Sequence, residues 1–148
     1  MEIRRATTRD IDAIAEFNCR MALETEGKTL DRETVLAAVG RVFADAAKGF
    51  YVVAEDEGSV VGCLMITYEW SDWRNADWWW IQSVYIVPAS RGRGLYGQMY
   101  RTVKGMARAE GGVYGIRLYV EHENHHAQRV YESLGMERSN YYMYDEEL

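Results

Sequence analysis

The sequence predicts a single α/β (α+β) domain over residues 1–148, and three observations predict it. The length is that of one ordinary domain, enough to bury roughly two-thirds of the surface its unfolded form exposes. Runs that alternate apolar and polar side chains, as strands do, are interleaved with runs that repeat every three or four residues, as helices do. Finally, the alternating run from Gln82 breaks at the only proline, turns through Ser90-Arg91-Gly92-Arg93-Gly94, and then takes up helical spacing. The rest of the chain is organised around that stretch, QSVYIVPASRGRGLYGQMY.

Glu2 to Arg5 reads as a short first strand. Thr7-Thr8-Arg9-Asp10 has the form of a capping box, and Ile11, Ile14, Ala15, Asn18, Met21 and Ala22 then share one face of a helix reaching about Glu24. Asp31 caps a second helix with the core stripe Val35, Leu36, Val39, Val42 and Phe43, ended by Lys48-Gly49. Phe50–Glu55 and Ser59–Glu69 read as strands joined by the hairpin signal Asp56-Glu57-Gly58. A polar-aromatic turn, Trp70-Ser71-Asp72-Trp73-Arg74-Asn75, leads into a third antiparallel strand, Asp77 to Val87, on which alternation puts Trp78, Trp80 and Gln82 on one face and Trp79 on the other.

Past the glycine turn, Leu95, Met99, Val103 and Met106 mark a helix closed by Gly111-Gly112. Tyr114 to Glu121 is the next strand. Asn124 caps a helix whose apolar face is Ala127, Val130, Tyr131 and Leu134, with Gly135 as a left-handed cap. Ser139 to Asp145 reads as a final aromatic strand whose edge offers pairing to a second copy, hence a possible homodimer.

Composition narrows the functional classes. With 48% hydrophobic and 27% charged residues the chain is globular in character. No run approaches the roughly 18 apolar residues of a membrane span, and MEIRRATTRD lacks an apolar signal core, so the expectation is a soluble, cytoplasmic protein with no membrane partner. Cys19 and Cys63, far apart and without CxxC spacing, read as free thiols of a reducing compartment. The net charge of −6 disfavours nucleic acid and leans toward a cationic small molecule.

The glycine turn carries the chemistry. The first turn of the helix after it has backbone N–H groups without intrahelical partners, and the helix dipole adds partial positive charge there. Gly92 and Gly94 let an anion approach the main chain, and Arg91 and Arg93 bring full charges. A phosphate or pyrophosphate is the natural guest, against the plainer reading of a strand-to-helix loop. A P-loop is excluded by the absence of Gly-Lys-Ser/Thr, and a dinucleotide fingerprint by the missing third glycine. His122, His125 and His126 lack a fourth strong ligand and project in different directions, so no metal is expected.

Arg91-Gly92-Arg93-Gly94-Leu95-Tyr96 resembles the acetyl-CoA signature of the GNAT superfamily of N-acetyltransferases, Arg/Gln-x-x-Gly-x-Gly/Ala after a strand. It departs at the sixth position, where Tyr96 stands and the small residue follows as Gly97. From Leu118, LYVEHENHHAQRVYESLGMER is similar to the second signature of that family, with Tyr131 seven residues after the capping Asn124. The resemblance covers essentially the whole chain. It implies a central mixed, mostly antiparallel sheet flanked by four helices, and direct transfer of an acetyl group from acetyl-CoA, the co-substrate, to a primary amine.

The resemblance also implies site residues. Val84, Tyr85 and Ile86 would bind the pantetheine arm through the backbone, one N–H near Ile86 polarising the thioester oxygen. Arg91, Gly92, Arg93, Gly94, Leu95, Tyr96 and Gly97 would hold the pyrophosphate. Asn124 would bond the pantetheine or its neighbourhood, and the Tyr131 hydroxyl would protonate the leaving sulfur. Many relatives carry a Glu base at the position of Gln82; an amide accepts no proton at neutral pH, so a water relay ordered by Gln82 ranks first, with Glu69, Asp77 or Glu121 as alternatives. The connection between the first two helices overhangs the acceptor site in this fold, making Glu24 and Glu26 candidate contacts for a cationic amine. Trp70, Asp72 and Trp73 of the turn, with Glu69 and Trp80, are candidates for the pocket wall. The rivals are a longer acyl donor or a protein acceptor on the same fold, and an acyl-CoA sensor without turnover, suggested by the missing strand carboxylate.

Overall fold

The computed structural model describes all residues, Met1 to Leu148. They group into two compact units, Met1–Leu118 and Tyr119–Leu148.

The first unit holds a five-stranded sheet in chain order: β1 (Glu2–Arg5), β2 (Phe50–Asp56), β3 (Ser59–Ser71), β4 (Ala76–Ile86) and β5 (Val113–Arg117). Neighbours from β1 to β4 are antiparallel, and β5 joins β4 in parallel. The parallel step requires a crossover, which α3 (Leu95–Glu110) supplies. The β2–β3 hairpin closes through Glu57 and Gly58, both at positive φ (48° and 78°), as a two-residue turn matched to strand twist demands.

One sheet face is covered by α1 (Ile11–Glu26) and α2 (Arg32–Ala44): Ile14, Ala15, Phe17 and Val39 pack into one buried cluster with Tyr51, Val53, Cys63 and Tyr85. From α3, Leu95, Met99, Tyr100, Val103 and Ala107 are buried, and Met99 approaches Ile86 across Gly62. Arg4 crosses the start of the domain, donating to both Asp10 carboxylate oxygens (2.8 and 3.0 Å) and to Glu55 (2.6 Å). Asp10 also accepts the Thr7 N–H at 2.7 Å, the capping contact expected there, after which a single 3₁₀ turn precedes α1.

Several boundaries differ from expectation. Helix α1 continues to Glu26 and ends on Gly27 (φ 63°), whose N–H donates to the Leu23 carbonyl while Lys28 N–H reaches Ala22; Glu24 and Glu26 therefore ride the last helical turn. Helix α2 stops at Ala44, not at Lys48-Gly49, because Asp45 turns extended and its side chain accepts the Ala47 N–H. Gly49 (φ 138°) instead lets the chain pass the Ile66 carbonyl, with which any Cβ would collide. Trp70 and Ser71 belong to β3, shrinking the turn to residues 72–75.

The second unit contains α4 (His125–Ser133), capped by the Asn124 side chain, which accepts the Ala127 N–H at 3.1 Å, and followed by Gly135 at φ 96°. The strand expected over Tyr114–Glu121 is only β5, and Ser139–Asp145 forms no strand at all. A strand exists only as one side of a ladder, and an aromatic run without a pairing edge does not make one. Tyr141, Tyr142 and Tyr144 are more than 80% exposed.

Candidate functional site

The site is built around a fault in β4. Met65 pairs with Gln82 and Cys63 with Tyr85, so one residue on β3 faces two on β4, and Ser83 takes a positive φ of 52° to absorb the extra residue. The bulge changes the phase of the strand. Trp78, Trp80 and Gln82 share the face of Thr67 and Glu69, as alternation predicted, and beyond the bulge Tyr85 joins that face while Ile86 turns toward Met99. Sequence alternation alone misses this, since nothing in Gln82-Ser83-Val84 announces the inserted residue.

The second feature is an opening. Strand β4 pairs with β5 only from Asp77 to Trp80, so Ile81 to Ile86 have no strand beside them on that side. Val87 N–H donates to Val61 on β3 at 2.9 Å, and by antiparallel alternation the Ile86 N–H and C=O point away from β3, toward the open side. At the end of this half-free strand lies the glycine turn, with Gly92 at φ 73° and Gly94 at φ 70°, left-handed values that glycine adopts without strain. Gly94 is the N-cap of α3, and the first backbone bond of the helix runs from Gln98 to its carbonyl. The N–H groups of Gly92, Arg93, Gly94, Leu95 and Gly97 have no acceptor in the protein, and no atom lies within 4 Å of a Cβ placed on either turn glycine.

Arg91 does not extend into this space. Its Nε donates to the Ile86 carbonyl at 2.7 Å and its Nη2 to Glu24 Oε2 at 2.8 Å, with the guanidinium 5.3 Å from the Tyr85 ring centre. The Tyr85 hydroxyl donates to the other Glu24 oxygen at 2.7 Å. Arg91, and then Tyr85, hold the Glu24 carboxyl below its ordinary range, while burial and then Glu24 push the Tyr85 phenol up. Arg93 is exposed.

The open part of the face carries the remaining candidates. Gln82 donates through Nε2 to Thr67 Oγ1 at 2.5 Å. Both oxygens of Glu69 are engaged, one by the Trp80 indole N–H (3.2 Å) and one by Arg117 (2.7 Å). The Arg117 guanidinium stacks 3.7 Å from the Trp78 ring centre, and Trp78 lies over Gly115, where a Cβ would come within 2.6 Å of the indole. Thr67, Gly115 and Arg117 escaped the sequence reading, which places Trp78 on this face without making it a site candidate; of the three only Gly115, a glycine inside a strand, carried a signal of close approach. Trp70, paired with Asp77, lies on the opposite sheet face from Trp80 and Gln82, so the structure does not bring these two candidates together. Trp73 stands 87% exposed on the turn beside Asp72. Glu26 pairs with Lys28 at 3.6 Å.

In the second unit, burial raises the Tyr131 phenol above its ordinary value, keeping it protonated at neutral pH. His125 sits 3.6 Å from Glu123, and no group of three His, Cys, Asp or Glu side chains has the arrangement of a metal site. The Cys63 thiol, packed in the core, is pushed up to about 12 by burial and is no nucleophile.

A sheet that opens between two parallel strands, with unpaired amides at the start of the following helix, is suited to an extended anionic ligand held by the main chain. The sequence model described as Acetyltransferase (GNAT) family matches residues 11–136, and the chain belongs to that family. A possible acetyltransferase from Clostridium difficile 630 is 43% identical and superposes with a TM-score of 0.92, covering 99% of this chain and 97% of that one. A probable acetyltransferase, 20% identical, has a TM-score of 0.87 over 100% and 98% of the two chains. The aminoglycoside N-acetyltransferase AAC(6')-Iy in complex with CoA, 15% identical, has a TM-score of 0.78 over 99% and 93% and shares the fold. No curated protein matches the chain significantly.

The residues present fit acetyl-CoA. The amides of Gly92, Arg93, Gly94, Leu95 and Gly97 and the space above the two glycines suit a diphosphate, and the half of β4 without a strand neighbour suits an extended amide-bearing arm.

Proposed function

We propose that this protein transfers the acetyl group of acetyl-CoA to the primary amine of a small molecule by direct attack within a ternary complex. The observation that carries the reading is the set of backbone N–H groups of Gly92, Arg93, Gly94, Leu95 and Gly97 without protein acceptors, at the N-terminus of a sixteen-residue helix. Such a set, reinforced by the helix dipole, is an anion site without need of a lysine.

Bound acetyl-CoA supplies the activated acyl group. The chain's contribution is placement and charge. The outward Ile86 N–H is suited to polarise the thioester oxygen as the carbonyl becomes tetrahedral. The amine nitrogen attacks the carbonyl carbon, the C–S bond breaks, and the thiolate takes a proton from Tyr131, a role we assign on the strength of the second signature; the new amide nitrogen gives up one proton to solvent, from which Tyr131 regains its own. The ammonium proton must leave first. The Gln82 amide, its nitrogen engaged by Thr67, keeps its carbonyl oxygen to order a water that carries that proton outward. We place the acceptor amine on the face bearing Gln82 and Trp80, with the end of α1 at its margin.

Purified protein with acetyl-CoA is expected to release free CoA only when an amine is added. Tyr131→Phe should lower turnover about 100-fold with CoA affinity nearly intact, and an unchanged rate would remove Tyr131 from the reaction. The engagement of both Glu69 oxygens, together with an amide at position 82, favours an acyl-CoA sensor as the second reading. Tight CoA binding with no thiol release across polyamines, amino acids, aminoglycosides and peptides would select it.

A further inference from the structure

We infer that Arg91 is a positioning residue: with Glu24 it forms a latch that ties the last turn of α1 to the end of β4, and it acts through these partners, not as a ligand of the diphosphate. The inference rests on the acetyl-transfer reading for its functional consequence and on geometry for the latch. Four contacts converge. Arg91 bridges the Ile86 carbonyl and Glu24, its guanidinium lies beside the Tyr85 ring, and Tyr85 closes the loop on the second Glu24 oxygen. The fork of the guanidinium matches two acceptors at once, which an ammonium at a single point does not.

The Ile86–Val87 peptide is thereby fixed at both ends, its carbonyl by Arg91 and its N–H by Val61. That peptide adjoins the Ile86 N–H assigned above to the thioester oxygen. On the other side, Glu24 lies three residues before the Gly27 cap, where the chain turns toward α2 at the margin assigned to the acceptor. The latch therefore sets the distance between the strand that holds the acyl donor and the helix end that borders the amine. An error of about an ångström in such a distance costs near-attack geometry and leaves binding of the donor largely untouched.

The test is a double-mutant cycle of Arg91→Met and Glu24→Ala, with Arg91→Lys beside it, read by calorimetry with CoA, by steady-state kinetics and by hydrogen exchange. Each single variant should lower kcat/KM for the amine about ten-fold, with the double variant no worse than either, the non-additivity of partners in contact. CoA affinity should stay within about three-fold, Arg91→Lys should not rescue, and exchange at Val87 and in the last turn of α1 should rise together in both single variants. A ten-fold loss of CoA affinity in Arg91→Met, restored by Arg91→Lys, would make Arg91 a phosphate ligand and overturn the latch. Additive effects, or unchanged exchange, would also overturn it. Failure of the wild-type protein to release CoA with any amine would sink the acetyl-transfer reading instead, and the calorimetric and exchange results would still decide the latch.

Discussion

Asp10 shows how far a single residue's environment governs stability. It is 3% exposed and its carboxyl is held below the ordinary aspartate value of 3.8, first by the Arg4 hydrogen bonds and also by the Thr7 N–H, against the opposing effect of burial. A carboxyl lowered in the folded state stabilises fully above its unfolded value, and that contribution is lost as pH falls from about 4 through the lower folded value. Asp10→Asn leaves Arg4 half-buried with Glu55 alone, and a destabilisation of about 3 kcal/mol is expected at neutral pH. Thermal melts should show that difference shrinking below about pH 4, the acid limb of the wild type being partly absent from the variant. The capping motif Thr7-Thr8-Arg9-Asp10 was legible in the sequence because its four residues are contiguous. The Arg4 and Glu55 partners were not, since only sheet pairing brings Glu55 next to β1.

At the scale of elements, the glycine turn and the bulge behave differently as information. The turn is a local motif: two glycines at positive φ between a proline and a helix specify their own geometry. Gly94→Val should cost about 1–2 kcal/mol of stability from the left-handed backbone alone. No protein atom stands near the added Cβ, so any further loss of CoA affinity, expected at ten-fold or more by calorimetry, measures the ligand's approach to the main chain. Gly115→Ala tests the floor of the open face. Its Cβ must displace the Trp78 ring and with it the stacked Arg117, so a loss of about 1–2 kcal/mol and a changed tryptophan emission spectrum are expected. The Ser83 bulge, in contrast, arises from the mismatch between β3 and β4 and is invisible in either strand alone.

For the whole molecule, the open side of β4 and the unpaired amides of α3 imply that ligand binding and stability are linked. Coenzyme A at about 100 times its dissociation constant should stabilise the protein by about 2.7 kcal/mol. At this length that corresponds to a rise in melting temperature of roughly 5–10 °C by calorimetry. Inorganic phosphate at the same concentration should give far less, because it occupies the turn and leaves the strand half-empty. Absence of any shift with CoA would remove the main-chain anion site from the account.

The sequence by itself determined the family, the order of helices and strands from Glu2 to α4, and the glycine turn, because periodicity, caps and turn residues act between near neighbours in the chain. Tertiary structure alone decided that Glu24 and Arg91 meet across the domain, that Glu69 is engaged by Trp80 and Arg117, that Trp70 and Trp80 lie on opposite faces, and that Tyr85 follows Gln82 onto one face. It also withheld the last strand, although the aromatic residues Tyr141, Tyr142 and Tyr144 that suggested it were present in the chain. The physical reason is shared by all of these. Propensity and alternation fix what a segment is able to become, whereas pairing register and packing against residues distant in sequence fix which side chains share a site.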